Sequence, residues 1–146
     1  MNMTARLLSW AYGVVTSRPP DIVIGKTRFL NRWYIVPRNP LFNIYLHEWV
    51  GSDDDRALHD HPWWSFSWIL GPHGLVEEYA KDHYITRRAI LPGTRVWRSP
   101  TFRHRIIAAR VPTYTLFITG PRVRVWGFWC PQGWRRHDEF DKNGCN

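Results

Sequence analysis

The stretch Leu58-His59-Asp60-His61-Pro62-Trp63-Trp64 sets the reading of this chain. Two histidines one residue apart on an extended segment project both imidazoles to one face, because side chains alternate along a strand. Such a pair can supply two neighbouring ligands to one metal ion, and imidazole suits iron, zinc, copper and nickel alike. An H-x-H pair alone is a weak signal, since surface histidines at this spacing arise by chance. It gains weight from a third ligand downstream, and His104 is the candidate. Pro62-Trp63-Trp64 carries the chain from the pair straight into apolar residues, which favours a buried pair over a solvated strand start.

Outward from that stretch, the texture is of short strands and turns. Thr27–Val36 is rich in β-branched and aromatic residues and ends at Pro37-Arg38-Asn39-Pro40; Leu41–Val50 follows. An acidic loop, Gly51-Ser52-Asp53-Asp54-Asp55, leads to the histidines. Beyond them, Pro62–Leu70 runs into the turn Gly71-Pro72-His73-Gly74, from which Leu75–Tyr79 returns. His83–Leu91, Thr94–Arg98, Arg103–Ala109, Thr113–Thr119 and Arg122–Trp129 read as further strands. Residues 4–16 read as a helix, with Thr4 as its cap and Leu7, Leu8, Ala11, Val14 and Val15 on one face; Ser17-Arg18-Pro19-Pro20 ends it. The spacing therefore predicts an all-β sandwich or barrel with a short N-terminal helix covering one face. We expect one domain: residues 1–20 as helix and linker, 26–129 as the barrel, and 130–146 as an irregular tail.

Composition bounds the function without choosing it. The 146 residues suffice for one proper core, and 44% apolar content argues against disorder. The formal charge of +8, carried mainly by arginine, would suit an anionic substrate, nucleic acid or a membrane surface. No apolar run approaches the roughly 20 residues that span a bilayer. Two cysteines, Cys130 and Cys145, are too few for a disulfide framework, and a zinc site Cys130…His137…Cys145 matches no familiar spacing. With no convincing signal-peptide cleavage site before Pro19-Pro20, a cytoplasmic protein is expected.

The order of features resembles the cupin superfamily of double-stranded β-helix (jelly-roll) barrels: Gly51…His59-Asp60-His61, a turn at Gly71, then Gly93…Pro100…His104. The resemblance covers about residues 40–128. It departs from the family pattern twice. The family's glutamate would fall near Ser65 or Phe66, and Thr101-Phe102-Arg103 stands where a glycine usually precedes the last histidine. What remains is His59, His61 and His104, a three-histidine set similar to that of cysteine dioxygenase-type thiol dioxygenases. The resemblance implies a metal-dependent cupin, foremost an Fe(II) oxygenase acting on a small anionic or aromatic metabolite, with Zn, Ni or Mn as other candidate ions. A homodimer is common in the family.

Residue parity suggests further members of the site. If Gly71–Gly74 is a hairpin turn, Ser67 falls opposite Glu78, which places Glu78 on the histidine face as a fourth ligand or hydrogen-bond acceptor and points Glu77 away; the alternative for Glu78 is a surface salt bridge. Arg95 and Arg103 flank the third histidine and are candidate clamps for a carboxylate or phosphate. Trp97 and Trp63 are candidates for the rim of a substrate pocket. His47 reads as a core or rim histidine; His73, His83 and His137 read as surface. The alternatives are a non-catalytic metal- or ligand-binding module, a sugar-nucleotide isomerase or epimerase, and a nucleic-acid binder. The last has charge and aromatics but no motif. The partner expected is a small-molecule substrate, with neither nucleic acid nor membrane.

Overall fold

In the computed structural model, which describes residues 1–54 and 57–146, two six-stranded antiparallel sheets pack face to face. The first sheet runs, in spatial order, β1 (Ile22–Ile24), β2 (Leu30–Tyr34), β3 (Asn43–Trp49), β10 (Thr113–Thr119), β5 (Ser65–Gly71) and β8 (Arg95–Arg98). The second runs β12 (Gly133–Arg136), β11 (Gly127–Cys130), β4 (Leu58–His59), β9 (His104–Ile107), β6 (Leu75–Lys81) and β7 (Tyr84–Ile90). A 15-residue helix, α1 (Met3–Ser17), precedes them, and α2 (His137–Asn143) follows. Asp55, the last residue of the acidic loop, lies outside the described residues.

Period-two alternation sorts the side chains into layers. Between the sheets, Phe29, Leu30, Trp49, Ile69, Leu75, Ile90, Val96 and Ile106 form an apolar core. On the outer face of the first sheet, Trp33, Leu46, Leu70 and Tyr114 pack under Ala11 of α1, with Leu7, Leu8, Val14 and Val15 beside it. The helix thus caps a sheet whose two faces are both apolar. No described helix is long and apolar enough to cross a membrane.

Four sequence expectations are corrected. The cap of α1 is Asn2, whose side chain accepts from the Ala5 N–H at 2.9 Å; Thr4 lies inside the helix and accepts from Trp68 Nε1. The stretch Arg122–Trp129 is strand only from Gly127, because Arg124 reaches back to Asp60 and the Val123 N–H bonds Pro62. The tail is not irregular: β12 pairs with β11, and α2 stacks Phe140 on Phe128 with ring centroids 3.8 Å apart. Cys130 and Cys145, read as too few for a disulfide framework, form one disulfide that ties the tail to β11, and His137 stacks on Trp126, as fits the sequence's discounting of a zinc site there.

The turn at Gly71–Gly74 matters most for the site. It does not close a hairpin: β5 belongs to the first sheet and β6 to the second, so the chain crosses between layers there. The partners of β6 are β7 and β9.

Candidate metal centre

The H-x-H stretch is pinned from behind by Asp60. Its buried carboxylate accepts from the Gly127 N–H at 2.8 Å and from the indoles of Trp129 and Trp134, both at 3.1 Å, and pairs with Arg124 at 2.8 Å. With Asp60 held by these donors, the residues on either side turn to the opposite face, between the sheets. His59 pairs across β4–β9 with His104, which brings the distant third imidazole to the same place. One ring nitrogen from each of His59, His61 and His104 lies within 4.8 Å of the others. The ring centroids are 4.9 to 5.1 Å apart, and His61 Nε2 stands 2.9 Å from His104 Nε2.

Glu77 orients the cluster. It is fully buried (0% exposed), and its Oε1 lies 2.6 Å from His104 Nδ1 and 2.6 Å from Arg98 Nε, while Oε2 receives Arg88. Burial alone would raise its pKa, but the His104 hydrogen bond and the Arg98 charge outweigh burial and bring it to about 2. As an ionised acceptor it fixes the His104 tautomer with the proton on Nδ1 and the lone pair on Nε2, toward His61. Arg98, itself 4% exposed, is held in turn by Glu77 and by Ser67 Oγ at 2.9 Å. Burial lowers all three imidazoles, His59 and His104 to about 4 and His61 well below its ordinary value.

These features fit a divalent cation. Three neutral imidazoles with converging nitrogens are a suitable donor set for a first-row metal. Two ring nitrogens facing each other at 2.9 Å, and a buried His59 Nδ1 with no hydrogen-bond partner among the described residues, describe a cluster not completed by hydrogen bonding alone. A cavity of about 310 Å³ opens on it, walled by His59, His61, His104, Trp63, Phe117 and Arg32 among others. That is the small end of the range for ligand sites, about 300–1,000 Å³.

Of the other residues singled out in the sequence, Trp63 lies at the cavity, stacked on His61 with ring centroids 4.9 Å apart. Glu78 does not face the histidines. It points to the outer side of the second sheet and pairs with Arg87 at 2.9 Å and Arg105 at 3.0 Å, while Glu77 takes the inward place. The physical reason is the crossover at Gly71–Gly74: with β6 in the other sheet, Ser67 never opposes Glu78, and the parity carried across the turn is reversed. The alternation Leu75-x-Glu77-x-Tyr79 carries the contrary signal, since it groups Glu77 with the bulkiest apolar residues of the strand.

Arg95 and Trp97 project outward from β8, because Val96 and Arg98 take the inward positions. Arg95 lies over the Trp68 ring, and Trp97 is 63% exposed beside Trp64, Phe66 and Ile118. Arg103 stacks over Trp129 and lines a separate open groove of about 1510 Å³ beside α2, which includes none of the three histidines. His47, unlike the exposed His83, lines the cavity. Sequence reading missed Glu77, Arg98 and Arg32 as inward residues.

The chain matches no protein-family profile and no curated protein. Its fold does match solved structures. The DMSP lyase DddQ from Ruegeria pomeroyi DSS-3 superposes with a TM-score of 0.57 at 11% identity, over 82% of this chain and 65% of that one. Fe(II)-HppE with the alternative substrate (S)-1-HPP gives 0.55 at 13% identity, over 70% and 56%. Streptomyces albus HEPD with 2-hydroxyethylphosphonate and Fe(II) bound gives 0.55 at 13%, over 65% and 22%. The chain spans less than two thirds of the length of each of these proteins. Identities this low establish architecture rather than activity. The chain is similar in structure to cupin-fold enzymes, a double-sheet β sandwich with an N-terminal helix and three histidines gathered between its layers.

Proposed function

We propose that this protein is a metal-dependent cupin, an Fe(II) oxygenase for a small anionic metabolite, with His59, His61 and His104 as the metal ligands. The observation that carries the proposal is the convergence of three imidazole nitrogens within 4.8 Å on the wall of a ligand-sized cavity. Two proteins of like fold, HppE and HEPD, were solved with Fe(II), which supports iron as the ion to try first. His59, His61 and His104 would hold the ion, which when bound would supply the oxygen-activating chemistry of an oxygenase.

The chain's own residues do the remaining work. Glu77 holds the His104 ring in one orientation, and Asp60 holds the segment that carries His59 and His61. Trp63 stacked on His61, with Phe128 5.8 Å from His59, limits water at the ligands. A cytoplasmic setting is part of this proposal and carries a condition: in a reducing cytoplasm Cys130 and Cys145 would stand as thiols.

Metal analysis of the purified protein after anaerobic Fe(II) loading tests the reading. One ion per chain is expected, and His59→Ala should reduce it to a small fraction. Oxygen uptake by the loaded protein with small carboxylates and thiols then separates an oxygenase from a binding module. Metal bound without oxygen consumption across such a panel would favour the module, and equal metal content in His59→Ala would end the metal proposal.

A further inference from the structure

Among the described residues, Arg32 is a cation without a counter-charge. It lies on the inward face of β2, opposite His47 in the β2–β3 pair, and both line the cavity of the three histidines. Its Nε–H donates to His47 Nε2 at 2.8 Å, and its guanidinium carbon sits 4.4 Å over the Tyr45 ring. Among the described residues, no carboxylate pairs with Arg32. No acceptor lies on its two terminal nitrogens either.

The other charged groups of that wall have partners of their own: Glu77 takes Arg98, and the Asp53 carboxyl is turned to the backbone N–H of Ile106 at 2.6 Å, with no paired cation among the described residues. Burial draws Arg32 down to about 10, which still leaves it charged at neutral pH. The bond from Arg32 fixes His47 as a neutral acceptor, and burial followed by the Arg32 charge holds that ring well below its ordinary pKa. His47 therefore positions the guanidinium without neutralising it. A half-buried guanidinium with its planar fork free is a site for a two-oxygen anion, because two parallel N–H groups match a carboxylate or phosphonate edge. Aromatic rings flank it: Phe117 lies 4.8 Å from His47 and 5.7 Å from Trp63.

We propose that Arg32, set by His47, is the specificity-determining seat for the oxyanion head of the substrate, carboxylate or phosphonate, with the apolar body against Trp63 and Phe117 and the reactive end toward the three imidazoles. The inference rests on the metal-centre reading and narrows its substrate to a small amphiphilic oxyanion.

Calorimetric titration of the metal-free and the Co(II)-loaded protein with propionate, ethylphosphonate and neutral propionamide, at about 0.15 M salt, tests it. At least one oxyanion should bind about tenfold or more tightly than propionamide, and the tighter of the two identifies the head group. Arg32→Gln should erase that preference while still holding one Co(II) per chain. Arg32→Lys, a point charge without the fork, should restore only part of it. Equal binding of the three compounds by the unmodified protein overturns the proposal, and this comparison stands even if Arg32→Gln fails to fold. An oxyanion preference unchanged in Arg32→Gln overturns it equally. Failure of the metal reading would look different: no Co(II) retained, with the oxyanion preference still measurable in the metal-free protein.

Discussion

Glu77 and Glu78 are neighbours of one residue type with opposite roles. Glu77 is enclosed by Arg98, Arg88 and His104; Glu78 faces solvent-side partners, one of which, Arg87, is 67% exposed at its side chain. Glu77→Gln keeps the shape but leaves the buried Arg98 without its counter-ion. We expect it to destabilise the protein by about 3 kcal/mol, the usual cost of removing one partner of a buried pair. It should also weaken metal binding roughly 10- to 100-fold, as loss of a ligand-orienting carboxylate commonly does. Glu78→Gln should cost less than Glu77→Gln, because its partners Arg87 and Arg105 can turn to water, and should leave any metal binding at the histidines unchanged. Urea unfolding and a chelator competition titration on both variants measure the two effects, and equal behaviour of the pair would contradict the assignment. At this scale the histidines were readable, because H-x-H on a strand needs only local geometry. Which glutamate faces them was not readable, since that depends on whether Gly71–Gly74 turns back within one sheet or crosses to the other.

At the scale of elements, the C-terminal segment is held from outside itself. The seven residues of α2 are too few to be stable alone. The helix docks through Phe140 on Phe128 and His137 on Trp126, and the Cys130–Cys145 bond closes a segment of 15 residues around it. A loop of that size corresponds to about 3 kcal/mol of chain entropy. Reduction, or Cys145→Ser, should therefore lower the melting temperature by several degrees. Because Trp126 and Phe128 also line the cavity of the three histidines, a change in tryptophan fluorescence should accompany release of α2. Thermal melts with and without reductant, together with a thiol count, check this; identical melts would show the tail docked without the bond. Most strands between Leu30 and Thr119 were legible because they carry alternation and many are bounded by Gly or Pro turns, as at Gly71-Pro72, Pro92-Gly93 and Gly120-Pro121. The tail was not legible, because a four-residue strand and a seven-residue helix show too little periodicity, and their stability comes from β11.

Over the whole molecule, the buried titrating groups predict the response to acid. His59 and His104 drop from 6.5 to about 4 on folding, and Glu77 from 4.5 to about 2. Each is depressed, so the unfolded chain takes up its proton at a higher pH than the folded one. Their stabilising contribution is therefore complete above pH 6.5 and is lost in two stages, from about 6.5 to 4 for the histidines and from 4.5 to about 2 for Glu77. Asp53 opposes them: burial raises it from 3.8 to about 6, so its contribution is present below 3.8 and lost as pH rises through 6. One carboxyl is outnumbered by His59, His104, His61 and His47, all lowered by burial. The urea midpoint of the metal-free protein should hold steady from pH 8 to 7 and fall between pH 6.5 and 4. A midpoint constant down to pH 4 would mean that the imidazoles are not buried.

The sequence by itself determined an all-β double-sheet fold, the position of α1 in the chain, and the His59–His61 pair, because each of these follows from local alternation, turn chemistry and spacing; His104 came from resemblance to the cupin pattern, and the β4–β9 pairing brings it to the pair. Only the tertiary structure decided that Glu77 supports His104, that Arg98 and Arg32 face inward while Arg95 and Arg103 do not, and that Cys130 meets Cys145. The reason is physical. A residue's side on a strand is a local property, but which sheet that strand joins, and so which face is interior, is set by pairings between segments far apart in the chain.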